Sequence, residues 1–263
     1  MLFEKKKDLA IVLSGGSAKG LAHIGVLEVL EENHIPIEAI VGTSMGALIG
    51  GLYASGKMKE FKKEAIEFSK NKIMKFLMKR KFGKKHLSVS SVKPFLYKFF
   101  KDKKIESLPI SFTAVATDLK TGKEVFIDKG DLLTAVMASI SIPGIFDPVR
   151  IDQSVLIDGG VVDPLPEKYG HVIADKVLTV NAMASEFKYK DEGEVFDVIS
   201  EAVGIMSHEI IKLKSIKDDK TLLIQLDTSH IEPFDFTNIE SHIEVGRKAA
   251  LKNLKKIIEL SKI

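Results

Sequence analysis

Ser44 is the residue whose setting most directly suggests chemistry. It sits in Gly42-Thr43-Ser44-Met45-Gly46, a Gly-x-Ser-x-Gly pattern in which a serine on a tight turn is pushed out towards substrate as a nucleophile. Such a pattern arises by chance in roughly one chain of this length in ten, given ordinary Gly and Ser usage, so it needs partners. One is Gly15-Gly16-Ser17-Ala18-Lys19-Gly20, a Gly-rich turn opening a helix, where unpaired backbone N–H groups suit a negative oxygen. If that oxygen belongs to a tetrahedral intermediate, the turn is an oxyanion hole, and each donor contributes on the order of 3 kcal/mol to catalysis. Dinucleotide and phosphate binding are the competing uses of such turns. Both fit poorly, because Ser17 breaks Gly-x-Gly-x-x-Gly and Lys19 is followed by Gly20 rather than Ser or Thr. The third group is Asp158, in Asp158-Gly159-Gly160. An Asp-Gly pair is more often a turn than a site, and as a general base Asp158 needs partial desolvation, since a carboxylate of pKa near 4 is a weak base.

The elements that must position these groups can be read from hydrophobic pattern. Leu9 to Leu13 is a short apolar, β-branched run ending in Ser14-Gly15-Gly16, and Leu21, Ile24, Leu27 and Leu30 follow at helical spacing up to Pro36. Ala39 to Val41 runs into the Ser44 turn, after which Ala47 to Ala54 predicts a helix stopped by Gly56. Strand, sharp turn and helix thus occur twice. Ser111 to Thr117 and Glu124 to Ile127 read as strands around Lys120-Thr121-Gly122, and Leu132 to Ser139 as a helix. Val155 to Ile157 is a strand ending at Asp158; Val177 to Val180 and Leu222 to Leu226 are two more, separated by helical Val195 to Leu213. Thr237-Asn238-Ile239-Glu240 has the form of a capping box before a last helix with Ile239, Ile243, Ala250, Leu254 and Ile257 on one side. Alternating strands and helices predict an α/β, three-layer α/β/α fold with a mostly parallel central sheet.

Composition narrows the chemistry. The 263 residues, 45% of them hydrophobic, suit one large domain over residues 1–263. There is no cysteine, which removes disulfides, thiolate metal sites and cysteine nucleophiles. No apolar run approaches the roughly 20 residues that cross a bilayer, and Leu9 to Leu13 is too short for a signal-peptide core, so a cytoplasmic location is expected. The net charge of +3 hides an asymmetry: residues 57–104 hold 17 Lys/Arg against 4 Asp/Glu, leaving 22 and 32 elsewhere.

Taken together, the blocks resemble the patatin-like phospholipase family over most of the chain. Gly15 to Leu27 resembles that family's glycine-rich block, Gly42 to Ala47 its nucleophile elbow, Asp158-Gly159-Gly160 its Asp-Gly motif, and Ala138 to Phe146 a block found before the aspartate. Ser17 departs from the pattern by replacing the third glycine; its backbone N–H can still serve if the local backbone tolerates a Cβ. The resemblance implies a Ser-Asp dyad without histidine, in which Asp158 takes the Ser44 proton, an acyl-enzyme forms and water releases a free fatty acid. It further implies oxyanion donors at Gly15, Gly16, Ser17 and Ala18, positive charge from Lys19, turns supported by Gly20, Gly42, Gly46, Gly159 and Gly160, and activity on a lipid ester without calcium, metal or cofactor.

Two alternatives stand beside this reading. A Ser-His-Asp enzyme would draw on His171, His208, His230 or His242 by chain order, with His230 best placed in a loop, while His23 reads as a helix-packing residue. A regulatory protein could keep the fold and turn over little. The basic segment 57–108 is expected to be a helical cap or insertion. Met58, Phe61, Ala65, Phe68 and Ile73, then Val92, Phe95, Leu96, Phe99 and Phe100, recur near helical spacing between lysines. Packing on the core is the commoner use of such faces; the sharper expectation is contact with anionic membrane through residues 57–104. Nucleic acid is not expected, because these aromatics have helix-packing spacing rather than that of a stacking strand.

Overall fold

The protein is described by a computed structural model covering residues 6–70, 92–183 and 195–262. Its sheet is mostly parallel. Strand β1 (Lys7–Leu13) lies between β2 (Ala39–Thr43) and β7 (Ala174–Asn181), both parallel to it; β3 (Ser111–Asp118) continues the parallel run beyond β2, and β8 (Thr221–Gln225) beyond β7. Three strands run against this direction: β4 (Lys123–Ile127) and β6 (Ser154–Asp158) on β3, and β5 (Val149–Ile151) on β6. Helices cover both faces, giving the three-layer α/β/α arrangement that the alternating pattern predicts. Leu9 to Leu13 and all of β2 are buried on both sides, as strands inside a covered parallel sheet must be, so they read as continuous apolar runs rather than alternating ones.

Helix α1 (Ala22–Glu32) follows β1, and α2 (Met45–Ala54) follows β2. The segment of high positive charge contributes α3 (Met58–Lys70) and α4 (Lys93–Phe100). Met58, Phe61 and Ala65 of α3 and Leu96, Phe99 and Phe100 of α4 are buried in the main core, and Phe61 meets Phe99 edge-on at 5.5 Å. Lysines pair outward, Lys62 with Glu28 at 2.6 Å and Lys59 with Glu31 at 2.7 Å. Where it is described, the segment therefore packs as amphipathic helices. Ile73 lies outside the described residues.

Helix α5 (Leu132–Ser139) is capped by Asp131, whose Oδ1 accepts the Thr134 N–H at 2.8 Å. Helices α6 (Glu167–Ile173) and α7 (Val195–Lys214) precede and follow β7, and α8 (Ile239–Ser261) ends the described chain. The short β5 and α6 had no clear signal in the sequence. The capping box at Thr237 does not form: Asn238 is the N-cap, without a side-chain cap, and Thr237 instead gives its N–H to Asp235 at 2.9 Å. A local Asx-type turn thereby replaces the helix cap.

Register places the chemistry. Leu13 pairs with Gly42 and Thr43 with Val115, so one further step along β2 sets Ser44 level with Ala116, whose partner across β3 is Asp158. Because β6 is antiparallel, Asp158 reaches this level by its pairing with β3 and not by the usual rule for carboxyl ends of parallel strands.

Behind the sheet, α1 and α8 cross with almost no gap. A Cβ on Gly25 would fall on the Ile243 carbonyl, and one on Gly246 on the Ala22 carbonyl. Gly→Ala inside a helix ordinarily stabilises by about 1 kcal/mol, but overpacking here costs about 1–3 kcal/mol. Gly246→Ala is therefore expected to lower the melting temperature followed by circular dichroism; a rise would contradict this packing.

Candidate active site

The turn after β2 holds Ser44 in a conformation that few side chains adopt, with φ 55° and ψ −121°. Such backbone costs of order 1–3 kcal/mol and persists only where its surroundings enforce it. Here they do. A Cβ on Gly42 would meet the Gly46 carbonyl, and one on Gly46 would meet the Leu13 carbonyl, so only glycines allow the turn to close against the end of β1. The Ser44 N–H donates to Ser139 Oγ at 2.9 Å, and that hydroxyl donates to the Val115 carbonyl at 2.6 Å. Ser44 remains only 6% exposed, at the base of a pocket that it shares with Asp158, Gly16, Ser17 and Lys19.

Asp158 is held on every side. Its N–H donates to the Ser141 carbonyl at 3.0 Å, its carbonyl accepts from Thr117 Oγ1 at 2.9 Å, and its Oδ1 accepts the Gly160 N–H at 2.7 Å. Among the described residues its buried Oδ2 makes no regular hydrogen bond. Burial pushes its carboxyl up to about 6, against the opposing pull of the Ser44 hydroxyl and the Gly160 N–H. Ser44 thus neighbours the carboxylate closely enough to favour its charge, without a well-formed bond in the free protein; catalytic pairs often tighten only around substrate. A carboxylate of this kind is a better base near neutrality than an exposed one.

The Gly-rich turn offers fewer donors than its sequence suggests. The Gly15 N–H is taken by the Pro164 carbonyl at 3.0 Å and the Ala18 N–H by the Pro233 carbonyl at 2.8 Å. Among the described residues, the N–H groups of Gly16 and Ser17 have no such partner. Gly16 has φ 136° and Ser17 φ 48°; the first suits glycine alone, whereas the second lies in the left-handed region that a side chain tolerates. The substitution at Ser17 thus keeps the N–H. Two helical N-termini also face this space, that of the short 3-10 turn Ser17–Leu21 and that of α2, and both favour negative charge. Lys19 adds a cation at the pocket wall; burial lowers its pKa, while Glu201 and Glu232 pull it back up.

His23 props the loop from beneath. Its Nε2 bonds the Ser14 carbonyl at 2.9 Å, and burial lowers its pKa to about 4, so the ring is neutral and donates from Nε2. Ser14 Oγ donates to the Gly15 carbonyl and accepts from the Ala182 N–H, both at 2.8 Å. No local sequence pattern marks Ser14, Ser139 or Ser141 as individual residues. Only the block Ala138 to Phe146 hinted at the latter two, through resemblance rather than through any local signal.

This arrangement can be set beside known proteins. The family profile described as Patatin-like phospholipase matches residues 11–170, a span holding Ser44, Asp158 and the Gly-rich turn. The chain belongs to the patatin-like phospholipase family. It is 38% identical over 179 residues to the NTE family protein Rv1063c of Mycobacterium tuberculosis, covering 68% of this chain and 50% of that protein. It is 32% identical over 170 residues to "Lysophospholipase nte1" of Emericella nidulans, covering 60% of this chain but 11% of that protein. The chain thus spans about half the length of the mycobacterial relative. VipD from Legionella pneumophila shares the fold, with TM-score 0.53 and 14% identity, over 96% of this chain and 67% of that one.

Within this patatin-like chain, none of the described histidines lines the pocket. His171 instead bonds Thr221 Oγ1 at 2.8 Å, His230 is exposed, and His242 is buried with its pKa lowered mainly by burial. Helix α7 lines the pocket through residues such as Ile199, Val203 and Ser207, and no described residue of 57–104 does.

The buried carboxylate has a cost. Its pKa of about 6 lies above the ordinary 3.8, so the folded state binds this proton more tightly than the unfolded chain. The cost is absent below pH 4, grows as pH rises from 4 to 6, and reaches about 3 kcal/mol above that range. Asp158→Asn is expected to melt several degrees above the parent at pH 8, with the gap closing towards pH 4. Melting curves at pH 8 and pH 4 check this, and a parent at least as stable at pH 8 would contradict it.

Proposed function

We propose that the chain is a serine lipid acyl hydrolase, a carboxylic ester hydrolase of phospholipase A or lysophospholipase type, working through a Ser44–Asp158 dyad. One observation carries the reading: a serine in strained backbone and a buried carboxylate meet in one pocket, where one carboxylate oxygen and two backbone N–H groups have no partner among the described residues. In this reading Ser44 Oγ attacks the ester carbonyl while Asp158 Oδ2 takes its proton. The N–H groups of Gly16 and Ser17 receive the oxyanion, Gly15 and Ala18 hold the turn in shape, and Lys19 adds positive charge at the edge. Collapse of the intermediate expels the alcohol, which takes the proton from Asp158 and leaves the acyl group on Ser44. Asp158 then deprotonates a water that attacks the acyl carbonyl, and as the free fatty acid leaves, the proton on Asp158 passes to the departing Ser44 Oγ.

The lipid assignment is supported by family membership, by the name of the fungal relative, and by the apolar wall of the pocket, which includes Ile142, Ile145, Ile199 and Val203. Calcium has no part in the reading. The intact pair argues against a low-turnover regulatory role, and the absence of histidine from the described lining favours the dyad over a triad. The basic segment 57–104 is proposed as a secondary contact with anionic membrane.

Hydrolysis of p-nitrophenyl butyrate tests the assignment. Ser44→Ala should abolish turnover and labelling by a fluorophosphonate, Asp158→Asn should lower kcat by at least about a thousandfold, and His230→Ala should leave both intact. Since Asp158 must be ionised to act, kcat/KM should rise tenfold per pH unit below about 6 and level off above 7. Loss of activity in His230→Ala with survival in Asp158→Asn would overturn the dyad.

A further inference from the structure

Helix α7 is amphipathic in the wrong sense. Its 20 residues span about 30 Å, and its inward side carries buried Ser207, at the pocket wall, and Ile211, clustered with Val12, Val41 and Val177 of the sheet. The outward side carries Val198, Ile199, Val203, Ile205, Met206 and Leu213, all exposed, with Met206 at 56% and Leu213 at 83% against 3% for Ser207. At 100° per residue these six fall within an arc of roughly 160°. A surface helix normally turns such an arc inward, whereas here these six side chains are exposed and none of the described residues buries them.

The position of the arc says what partner it suits. Ile199 and Val203 belong both to the outward side and to the pocket wall, and exposed Val161, just after Asp158-Gly159-Gly160, continues the rim from the other direction. The pocket encloses about 150 Å³, below the roughly 300 Å³ at which sites for drug-sized ligands begin. It has room for an ester and a few methylenes, so the rest of a long acyl chain must lie outside, against this rim. A second copy of the chain is a poorer occupant, because a stable protein interface needs about 20–30 residues a side and six apolar side chains fall short of that.

Building on the hydrolase reading, we infer that the outward side of α7 is the surface by which the protein docks on aggregated lipid, delivering an acyl chain into the pocket without crossing water. Lying in the boundary between headgroups and acyl chains is what an apolar helical face of this length does. The occupant is a lipid surface and the anchor is apolar, so docking should not require anionic headgroups.

The test uses the full chain and the variant Val198→Gln, Met206→Gln, Leu213→Gln, whose positions do not line the pocket and whose new side chains keep helix propensity. Circular dichroism should show the same melting temperature for both. Hydrolysis of monomeric p-nitrophenyl butyrate should agree within twofold. Co-sedimentation with phosphatidylcholine vesicles, measured in a Ser44→Ala background so that lipid is not consumed, should fall at least tenfold in the variant, as should hydrolysis of dispersed phosphatidylcholine by the active form. Equal vesicle binding by parent and variant would overturn the inference, as would binding confined to anionic vesicles and unaffected by the three changes. A parent that sediments as a dimer which the variant dissolves would also overturn it, by naming a second copy as the occupant. The two readings fail separately: vesicle binding lost in the variant without ester hydrolysis by the parent sinks only the hydrolase, whereas ester hydrolysis without vesicle binding sinks only the docking.

Discussion

The site depends on one backbone contact, that of Gly46 against the carbonyl end of β1. A Cβ at Gly46 would meet the carbonyls of Leu13 and Ser14, so the serine turn and the Gly-rich turn are built as one unit. Because β1 and β2 run parallel in register, Leu13 opposite Gly42, both turns leave the sheet at the same level. Ser44 and the N–H groups of Gly16 and Ser17, which have no partner among the described residues, then share a pocket without any side chain having to bring them together. Neutral His23 under the Ser14 carbonyl and Ser139 on the Ser44 N–H add fixed points at either side. The strain at Ser44 is sustained by this framework rather than by the turn itself.

The opposing requirement is electrical. A base must be desolvated enough to hold a proton near neutrality, yet a buried carboxylate must not be so isolated that it stays protonated. In the proposed dyad Asp158 meets both: Gly160 gives one hydrogen bond to Oδ1, and Oδ2, in the pocket shared with Ser44, has no regular hydrogen bond among the described residues. Were Oδ2 also bonded, the charged form would be favoured and basicity lost; with neither bonded, the acid would stay neutral into the working range. Stability is given up for this compromise, as is common at sites built for chemistry.

Most of the frame was legible in the sequence because it rests on local pattern. Leu9 to Leu13, Ala39 to Val41 and the helices after them follow from apolar runs and punctuating glycines, and Gly-x-Ser-x-Gly marks the turn because a close backbone approach admits only glycine there. What was not legible depends on long-range pairing. Nothing near Asp158 tells that β6 is antiparallel, or that pairing with Ala116 brings the carboxylate level with Ser44. The engagement of the Gly15 N–H with Pro164 and of the Ala18 N–H with Pro233 is equally hidden, since residues so distant in the chain carry no mutual signal. The box at Thr237 failed for a local reason, since Asp235 competes for the same N–H.

The direction of α7 belongs to the same class of hidden information. Periodicity identifies a helix with an apolar side, but whether that side faces the sheet is decided by what the rest of the chain leaves uncovered. Here the sheet is met by Ile211 while Ser207 turns to the pocket, and the larger apolar side chains are left outward, two of them at the pocket wall. The basic segment shows the opposite outcome: α3 and α4 turn Phe61, Phe99 and Phe100 into the core and leave Lys59, Lys63, Lys93 and Lys98 exposed. Charge in the sequence thus points to one surface and exposed apolar side chains in the fold to another. The second adjoins the pocket, because the pocket wall and the outward side of α7 share Ile199 and Val203. Among the described residues no helix is long and apolar enough to cross a membrane, so contact with lipid through α7 would be made along a surface, with the helix lying flat and the pocket opening towards the acyl chains.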